Sequence, residues 1–227
     1  MPDTQSTLIT VSNPRSPISE AYRTLRTNLD FSSLDKPICS MVVTSAAPEE
    51  GKSTTLANLA VTIAQSGKKV ILVDCDLRRP SLHHLFNTRS TVGFTDMMRD
   101  DGLMAKPPLQ ETNVPNLRVL TSGTLPPNPA ELLASRRMGD VVAALKQHAD
   151  MVLFDAPPVV AVTDAAVLAS KVDAVLLVIS AGKTKRDHAR KAKALLDKVN
   201  ARLIGTVLNN VKGESSLYQY YSNEEKP

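Results

Sequence analysis

The stretch Ala46-Ala47-Pro48-Glu49-Glu50-Gly51-Lys52-Ser53-Thr54 holds the groups best suited to gripping phosphate. It follows an apolar run, Ile38 to Thr44, and precedes a helical pattern, Thr54 to Gln65. That order of strand, loop and helix is what a P-loop requires. In such a loop successive backbone N–H groups, here across Glu49, Glu50, Gly51, Lys52, Ser53 and Thr54, converge on phosphate oxygens. The positive end of the following helix helps them. Lys52 is placed to reach the outer phosphates, and the Ser53 hydroxyl to ligate Mg²⁺. Ala46 stands where the usual G-x-x-x-x-G-K-[ST] spacing has its first glycine.

Two further segments end apolar runs in acids. In Val70-Ile-Leu-Val-Asp74-Cys75-Asp76-Leu77-Arg78-Arg79-Pro80 the aspartates are spaced i, i+2, which sends both carboxylates from one face of a strand end. Like charges that close repel unless a cation or a proton-transfer task lies between them. Met151-Val-Leu-Phe154-Asp155-Ala156-Pro157-Pro158 is another buried-strand pattern, and its proline pair stops the ladder. An acid at a strand's carboxyl end beside a P-loop is the expected holder of Mg²⁺. Any one of the three could be a turn aspartate. Together with the P-loop they predict a site for a nucleoside triphosphate with Mg²⁺.

The positioning elements are legible as alternation. Apolar, β-rich runs recur at Ile38–Thr44, Val70–Val73, Leu117–Thr121, Met151–Phe154, Ala174–Ser180 and Leu203–Leu208. Helical patterns separate most of them, at Thr54–Gln65, Ala130–Gln147, Asp164–Ser170 and Lys185–Val199, with a short helix around Phe94–Arg99. This predicts an α/β fold: a mostly parallel central sheet with helices on both faces, binding its ligand at the carboxyl ends of the strands. At 227 residues, 42% of them hydrophobic, one large domain with a sizeable core is expected. No apolar run of about 18 residues and no charged-then-apolar leader is present, so neither a membrane span nor a signal peptide is expected. Cys39 and Cys75 sit in apolar strand contexts and read as buried free thiols of a reducing compartment. A net charge of +4 with 4% aromatic residues gives no base-stacking platform, so nucleic acid is not an expected partner.

Outside this alternation lie three other segments. Ile18 to Ser32 reads as a helix capped by Ser16 or Ser19, with Glu20, Arg23 and Arg26 on one broad face beside a Tyr22, Leu25, Leu29 stripe. That face is either solvated or an interface offering arginines to a neighbouring subunit. Three of the chain's four tyrosines, Tyr218, Tyr220 and Tyr221, cluster in a polar C-terminal tail, as phosphoryl acceptors would. The basic run from Lys183 to Lys193 is either a solvated helix face or a contact for anionic lipid headgroups or an acidic partner.

Taken together, these motifs resemble the bacterial tyrosine kinases, P-loop autokinases that control capsular and exopolysaccharide export. The resemblance covers nearly the whole chain. Glu20-Ala-Tyr-Arg23-Thr-Leu-Arg26 is similar to the family's E-x-x-R-x-x-R oligomerisation motif, and Ala46–Thr54 to its Walker A motif. Asp74-Cys-Asp76-Leu-Arg-Arg-Pro is similar to the second (A′) Walker motif, and Phe154-Asp155-Ala-Pro-Pro to Walker B. Pro126-Pro-Asn-Pro-Ala-Glu-Leu-Leu133 and the terminal tyrosines also match.

The resemblance implies a P-loop NTPase fold of the partition-ATPase type. On it, residues 18–211 form the kinase domain, between an extended arm (1–17) and a flexible tyrosine-rich tail (212–227). It implies ATP and Mg²⁺ as cofactors and trans-phosphorylation of Tyr218, Tyr220 and Tyr221 in a homo-oligomeric ring. Lys52 would stabilise the transferring phosphoryl, and Ser53, Asp76 and Asp155 would hold the metal. Asp74 would orient and deprotonate the tyrosine, and Asn209 would contact adenine. It also implies protein substrates carrying tyrosine, and a separate membrane activator of the polysaccharide co-polymerase type. That activator would recruit a cytoplasmic protein to the inner face of the membrane.

The sequence departs from the family pattern at Glu49, where the family often has glycine, and at Cys75, in a slot commonly held by alanine. The rival with the same fold is a positioning ATPase that hydrolyses ATP with water. Those proteins carry a second lysine five residues before the P-loop lysine, where this chain has Ala47.

Overall fold

A helical turn, α1 (Ile9–Ser12), leads into the long helix α2 (Pro17–Ser32), after which strand alternates with helix. The computed structural model describes residues 8–211. Strand β1 (Ser40–Ser45) runs into α3 (Lys52–Gln65). Strand β2 (Val70–Asp74) is followed by the short helices α4 (Leu82–Leu85), α5 (Phe94–Met97) and α6 (Asp101–Ala105). The two-residue β3 (Gln110–Glu111) precedes β4 (Leu117–Leu120), α7 (Pro129–Ala134) and α8 (Arg137–Lys146). The remaining elements are β5 (Met151–Asp155), α9 (Asp164–Ala169), β6 (Ala174–Ser180), α10 (Arg186–Lys198) and β7 (Leu203–Asn209).

The strands form one sheet in the order β3-β4-β2-β5-β1-β6-β7, parallel throughout except for the β3–β4 pair. Period-two alternation sends Val42, Ile71 and Val73 into one core, with Leu133, Leu145 and Leu168 from the helices on that side. Met41, Val43 and Leu72 enter the other, against Leu56, Leu59 and Ile63 of α3. Covered on both faces, β1, β2 and β5 are buried along their whole length, which is why their sequences read as unbroken apolar runs. This strand order makes β5 the neighbour of both β1 and β2, with Asp155 in register with Val43 and with Asp74. The strand end that opens the P-loop and two acid-bearing strand ends are thereby adjacent.

The predicted strands and most helices match the observed elements to within a few residues. Three differences have physical causes. The arm expected to be extended instead folds back at residues 8–16. Leu8 is buried, and Thr10 donates through its N–H and its hydroxyl to Asn58 Oδ1 of α3, at 3.1 and 2.9 Å. The helix predicted over Ala130–Gln147 divides into α7 and α8. Ser135 is extended (ψ 156°) and its hydroxyl donates back to the Leu132 carbonyl at 2.7 Å, an alternative to the helical ladder. Strand β3, antiparallel and two residues long, is too short for a periodic signal. Helix α2 begins as read: Ser16 accepts from the Ser19 N–H at 3.1 Å, and Pro17 fills the first position.

Candidate active site

The P-loop is built from side chains spent on its own backbone. Ser45 Oγ donates to the Ala47 carbonyl at 2.7 Å. Glu50, 1% exposed, turns inward: one carboxylate oxygen accepts from the Ala47 N–H at 2.9 Å and the other from the Thr184 hydroxyl. That hydroxyl also accepts from the Ser180 N–H at 2.8 Å, so Glu50 ties the loop to the end of β6. Asn209 Nδ2 donates to the Glu50 carbonyl at 3.0 Å from the end of β7. Among the predicted nucleotide-binding residues, Glu50 and Asn209 thus have their side chains committed to shaping the loop.

Glu49 adopts φ +59°, the left-handed region that glycine enters without strain, and its exposed carboxylate faces Lys183 at 3.4 Å. Gly51 caps α3 at φ +84°, and a Cβ there would stand 2.1 Å from Asn209 Nδ2. Gly51→Ala is therefore expected to weaken nucleotide binding by about tenfold or more and to cost roughly 1–3 kcal/mol of stability. Calorimetric titration with nucleotide and urea unfolding would check both; wild-type affinity in the variant would show that the loop has room to shift.

At the loop's exit Lys52 Nζ lies 2.8 Å from Asp76 Oδ2 and 3.2 Å from Asp155 Oδ1. Ser53 Oγ donates to the other Asp155 oxygen at 2.5 Å, and Asp76 Oδ1 accepts from the Arg79 N–H at 3.0 Å. Burial works against the Lys52 ammonium, but the Asp155 and Asp76 carboxylates outweigh it and raise its pKa. Burial raises the pKa of Asp155, with Lys52 and the Ser53 hydrogen bond pulling the other way. One hydroxyl and two carboxylates form a hard-oxygen donor set that fits Mg²⁺, which takes its remaining ligands from phosphate and water. Among the described residues no group of three or more His, Cys, Asp or Glu side chains forms a metal-holding cluster, and such a shared site needs none.

The paired-aspartate expectation needs correction. Strand β2 ends at Asp74, so alternation does not extend to Asp76, and the two carboxylates part. Asp76 turns to Lys52, whereas Asp74, fully buried, accepts from the N–H groups of Ser81 and Leu82, both at 2.9 Å. Its second oxygen is buried without a hydrogen-bond partner. Burial, then the neighbouring Asp155 charge, pushes the Asp74 carboxyl up to about 7. Asp74 thus shapes the 74–82 loop that carries Asp76, and it is not open to solvent.

Two contacts escape sequence reasoning. Arg78 grips the fully buried Asp164 at the start of α9 through a two-point ion pair, at 2.9 and 3.1 Å. The Glu50–Thr184 bond spans 134 residues. Arg78 lies inside a stretch already singled out; Thr184, in a basic run, carries no local signal. The α2 residues make no contact with the Lys52, Asp76 and Asp155 cluster among the hydrogen bonds and ion pairs of the described residues. Arg23 contacts Glu20 at 2.5 Å and also the Pro14 carbonyl, while Arg26 donates to the Thr62 carbonyl of α3 at 3.1 Å. Tyr218, Tyr220 and Tyr221 lie outside the described residues.

A central parallel strand feeding a P-loop, with acids at the neighbouring strand ends, defines a P-loop NTPase of the partition-ATPase type, a fold that binds nucleotide. A family model described as "ParA: NUBPL iron-transfer P-loop NTPase" matches residues 39–216. The chain is 46% identical over 222 residues to Tyrosine-protein kinase YwqD of Bacillus subtilis (strain 168), an alignment covering 97% of this chain and 93% of that protein. Its structure superposes on the chimerical protein CapA2B2 with a TM-score of 0.86 at 38% identity, covering 92% of this chain and 91% of that one. Against the kinase domain of Escherichia coli tyrosine kinase ETK the TM-score is 0.84 at 33% identity, covering 92% and 82%. The chain belongs to the bacterial tyrosine-protein kinases.

Proposed function

We propose that this chain transfers the γ-phosphoryl group of Mg²⁺–ATP to tyrosines of its C-terminal cluster, Tyr218, Tyr220 and Tyr221, on a neighbouring copy. The observation that carries this reading is the meeting of Lys52, Ser53, Asp76 and Asp155 at the exit of the P-loop. The backbone from Glu49 to Thr54 would cradle the phosphates, and Asn209, which holds the loop through the Glu50 carbonyl, would contact adenine as the resemblance implies. Ser53, Asp76 and Asp155 would hold Mg²⁺, which would neutralise phosphate charge during transfer. Lys52 leaves its carboxylate partners to stabilise the transferring phosphoryl. As the phenol oxygen bonds to phosphorus, the bond to the ADP oxygen breaks and the phenolic proton departs. On the family resemblance the phenolic proton passes to Asp74, which also holds the loop that carries Asp76.

Self-association through Glu20, Arg23 and Arg26 of α2 completes the reading, with trans-phosphorylation inside a ring. Arg23→Ala with Arg26→Ala is expected to raise the concentration needed for assembly about tenfold or more. Light scattering at matched concentration reads this directly, and unchanged mass refutes the interface role. The motif resemblance further supports a cytoplasmic protein that a separate membrane activator of the polysaccharide co-polymerase type recruits to the inner face of the membrane. There it would regulate capsular or exopolysaccharide export and phosphorylate tyrosines of other proteins.

The test is peptide mass spectrometry after incubation with Mg²⁺–ATP, with and without the activator's cytoplasmic tail. Phosphate on Tyr218, Tyr220 or Tyr221 is expected. An unmodified tail with ADP release in both conditions would instead support a positioning ATPase.

A further inference from the structure

The positive charge of this chain is concentrated on one helix. Seven Lys and Arg against two Asp between residues 183 and 198 leave that segment at +5, whereas the whole chain carries +4, so everything outside it sums to −1. Helix α10 buries Ala192 and Leu196 and exposes Arg186, Arg190, Lys191, Lys193 and Lys198, with Lys185 exposed at its cap. Its two acids are already paired, Asp187 with Arg190 at 3.7 Å and Asp197 with Lys193 at 2.6 Å. Among the described residues Lys185, Arg186, Lys191 and Lys198 have no ion-pair partner. Arg186, Arg190 and Lys193, at i, i+4 and i+7, form one stripe.

The chain's C-terminal segment leaves the fold beside this helix. Ser180 and Asn209 are in register at the ends of β6 and β7, and the Ala181 N–H donates to the Asn209 carbonyl at 2.8 Å. Asn210 Nδ2 donates to Ser180 Oγ at 3.0 Å, fixing the exit next to the loop that starts α10. Tyr218 lies nine residues past Asn209, a reach of about 30 Å, and the thirteen residues of α10 span about 20 Å. Residues 212–227 contain two Lys and three Glu, and phosphate on all three tyrosines would bring that segment to about −6.

We propose that the basic face of α10 is a docking surface for the tyrosine-phosphorylated form of this chain's own C-terminal segment, residues 212–227. The inference rests on the proposed phosphorylation of that segment. Clustered Arg and Lys bind phosphotyrosine through charge-assisted hydrogen bonds. A tether of this length keeps the segment at an effective concentration near the millimolar range, so weak individual contacts suffice. Docking there would hold the modified tyrosines on the helix and leave the site to an unmodified acceptor. Anionic lipid headgroups share the same phosphate chemistry. The tail is favoured because its attachment point lies beside the start of the helix and because it gains its charge from the chain's own reaction.

The test uses a fluorescent synthetic peptide of residues 212–227 carrying phosphate on Tyr218, Tyr220 and Tyr221, titrated by anisotropy onto the phosphatase-treated full-length chain. The phosphates are placed by synthesis, so the result does not depend on kinase activity, which mass spectrometry reads separately. The phosphopeptide is expected to bind at least about tenfold more tightly than its unphosphorylated form. Arg186→Glu, Arg190→Glu and Lys193→Glu together should remove that advantage, and the matching triple Gln variant should reduce it with less risk to the fold. Equal binding of the two peptides, or phosphopeptide binding that both variants leave intact, overturns the proposal. Charge-sensitive binding to phosphatidylserine vesicles without charge-sensitive phosphopeptide binding overturns it in favour of a membrane-facing helix.

Discussion

Lys52→Met is expected to lower phosphorylation of the C-terminal tyrosines by roughly 10²–10³-fold or more while leaving the protein folded. The lysine is not part of either apolar core, and its ammonium is paired with the carboxylates of Asp76 and Asp155. It does neutralise Asp155, which is fully buried, and Asp76, which nearly is. Removing the cation leaves two carboxylates facing each other, with only the Ser53 hydroxyl and the Arg79 N–H still bonded to them. A stability loss of roughly 3–5 kcal/mol should therefore accompany the loss of activity. Quantitative phosphopeptide mass spectrometry and urea unfolding on the same preparations separate the two effects. Full phosphorylation by the variant would remove Lys52 from the mechanism.

Asp74→Asn carries the opposite sign in stability. The Asp74 carboxyl is pushed up to about 7, well above its ordinary value of 3.8. Between those values the folded chain holds a proton that the unfolded chain releases, so stability falls as pH rises through this window. The penalty is absent below about pH 4 and fully developed above about pH 7, where it is on the order of 4 kcal/mol. An asparagine still accepts from the Ser81 and Leu82 N–H groups and has no charge to bury. The variant should be more stable than the wild type at pH 8, and the gain should vanish near pH 4. Urea unfolding in chelator at both pH values measures this, and a variant no more stable than wild type at pH 8 would refute the elevated pKa. Phosphorylation by the variant is a separate readout: a loss of activity in a more stable protein marks a functional acid, the usual trade of stability against function.

What the sequence made legible was contiguous in the chain. The P-loop sits between a strand and a helix that carry their own periodic signals, and Asp74 and Asp155 end apolar runs, so order along the chain places them at strand ends. Sheet order was not legible, yet it is β5 lying between β1 and β2 that brings Asp155 within reach of Lys52. The i, i+2 spacing of Asp74 and Asp76 misled because alternation is a property of strands, and β2 stops at the first of them. Ser135 broke a predicted helix through a hydrogen bond that periodicity does not register. Glu50 read as one more loop residue because its partner, Thr184, is distant in sequence.

The lysine between two carboxylates has a consequence for how the protein counts its ligands. Lys52 cannot turn toward a phosphate without abandoning Asp76 and Asp155, and those acids accept the separation only if another cation arrives in the same event. On the proposed function, metal and nucleotide would thereby bind cooperatively, each strengthening the other by an equal factor. Free nucleotide must displace the lysine uncompensated, and free metal must compete with it for the same oxygens. On the proposed function the protein would respond to the metal–nucleotide complex as a single quantity, and metal depletion would switch it off as effectively as loss of ATP.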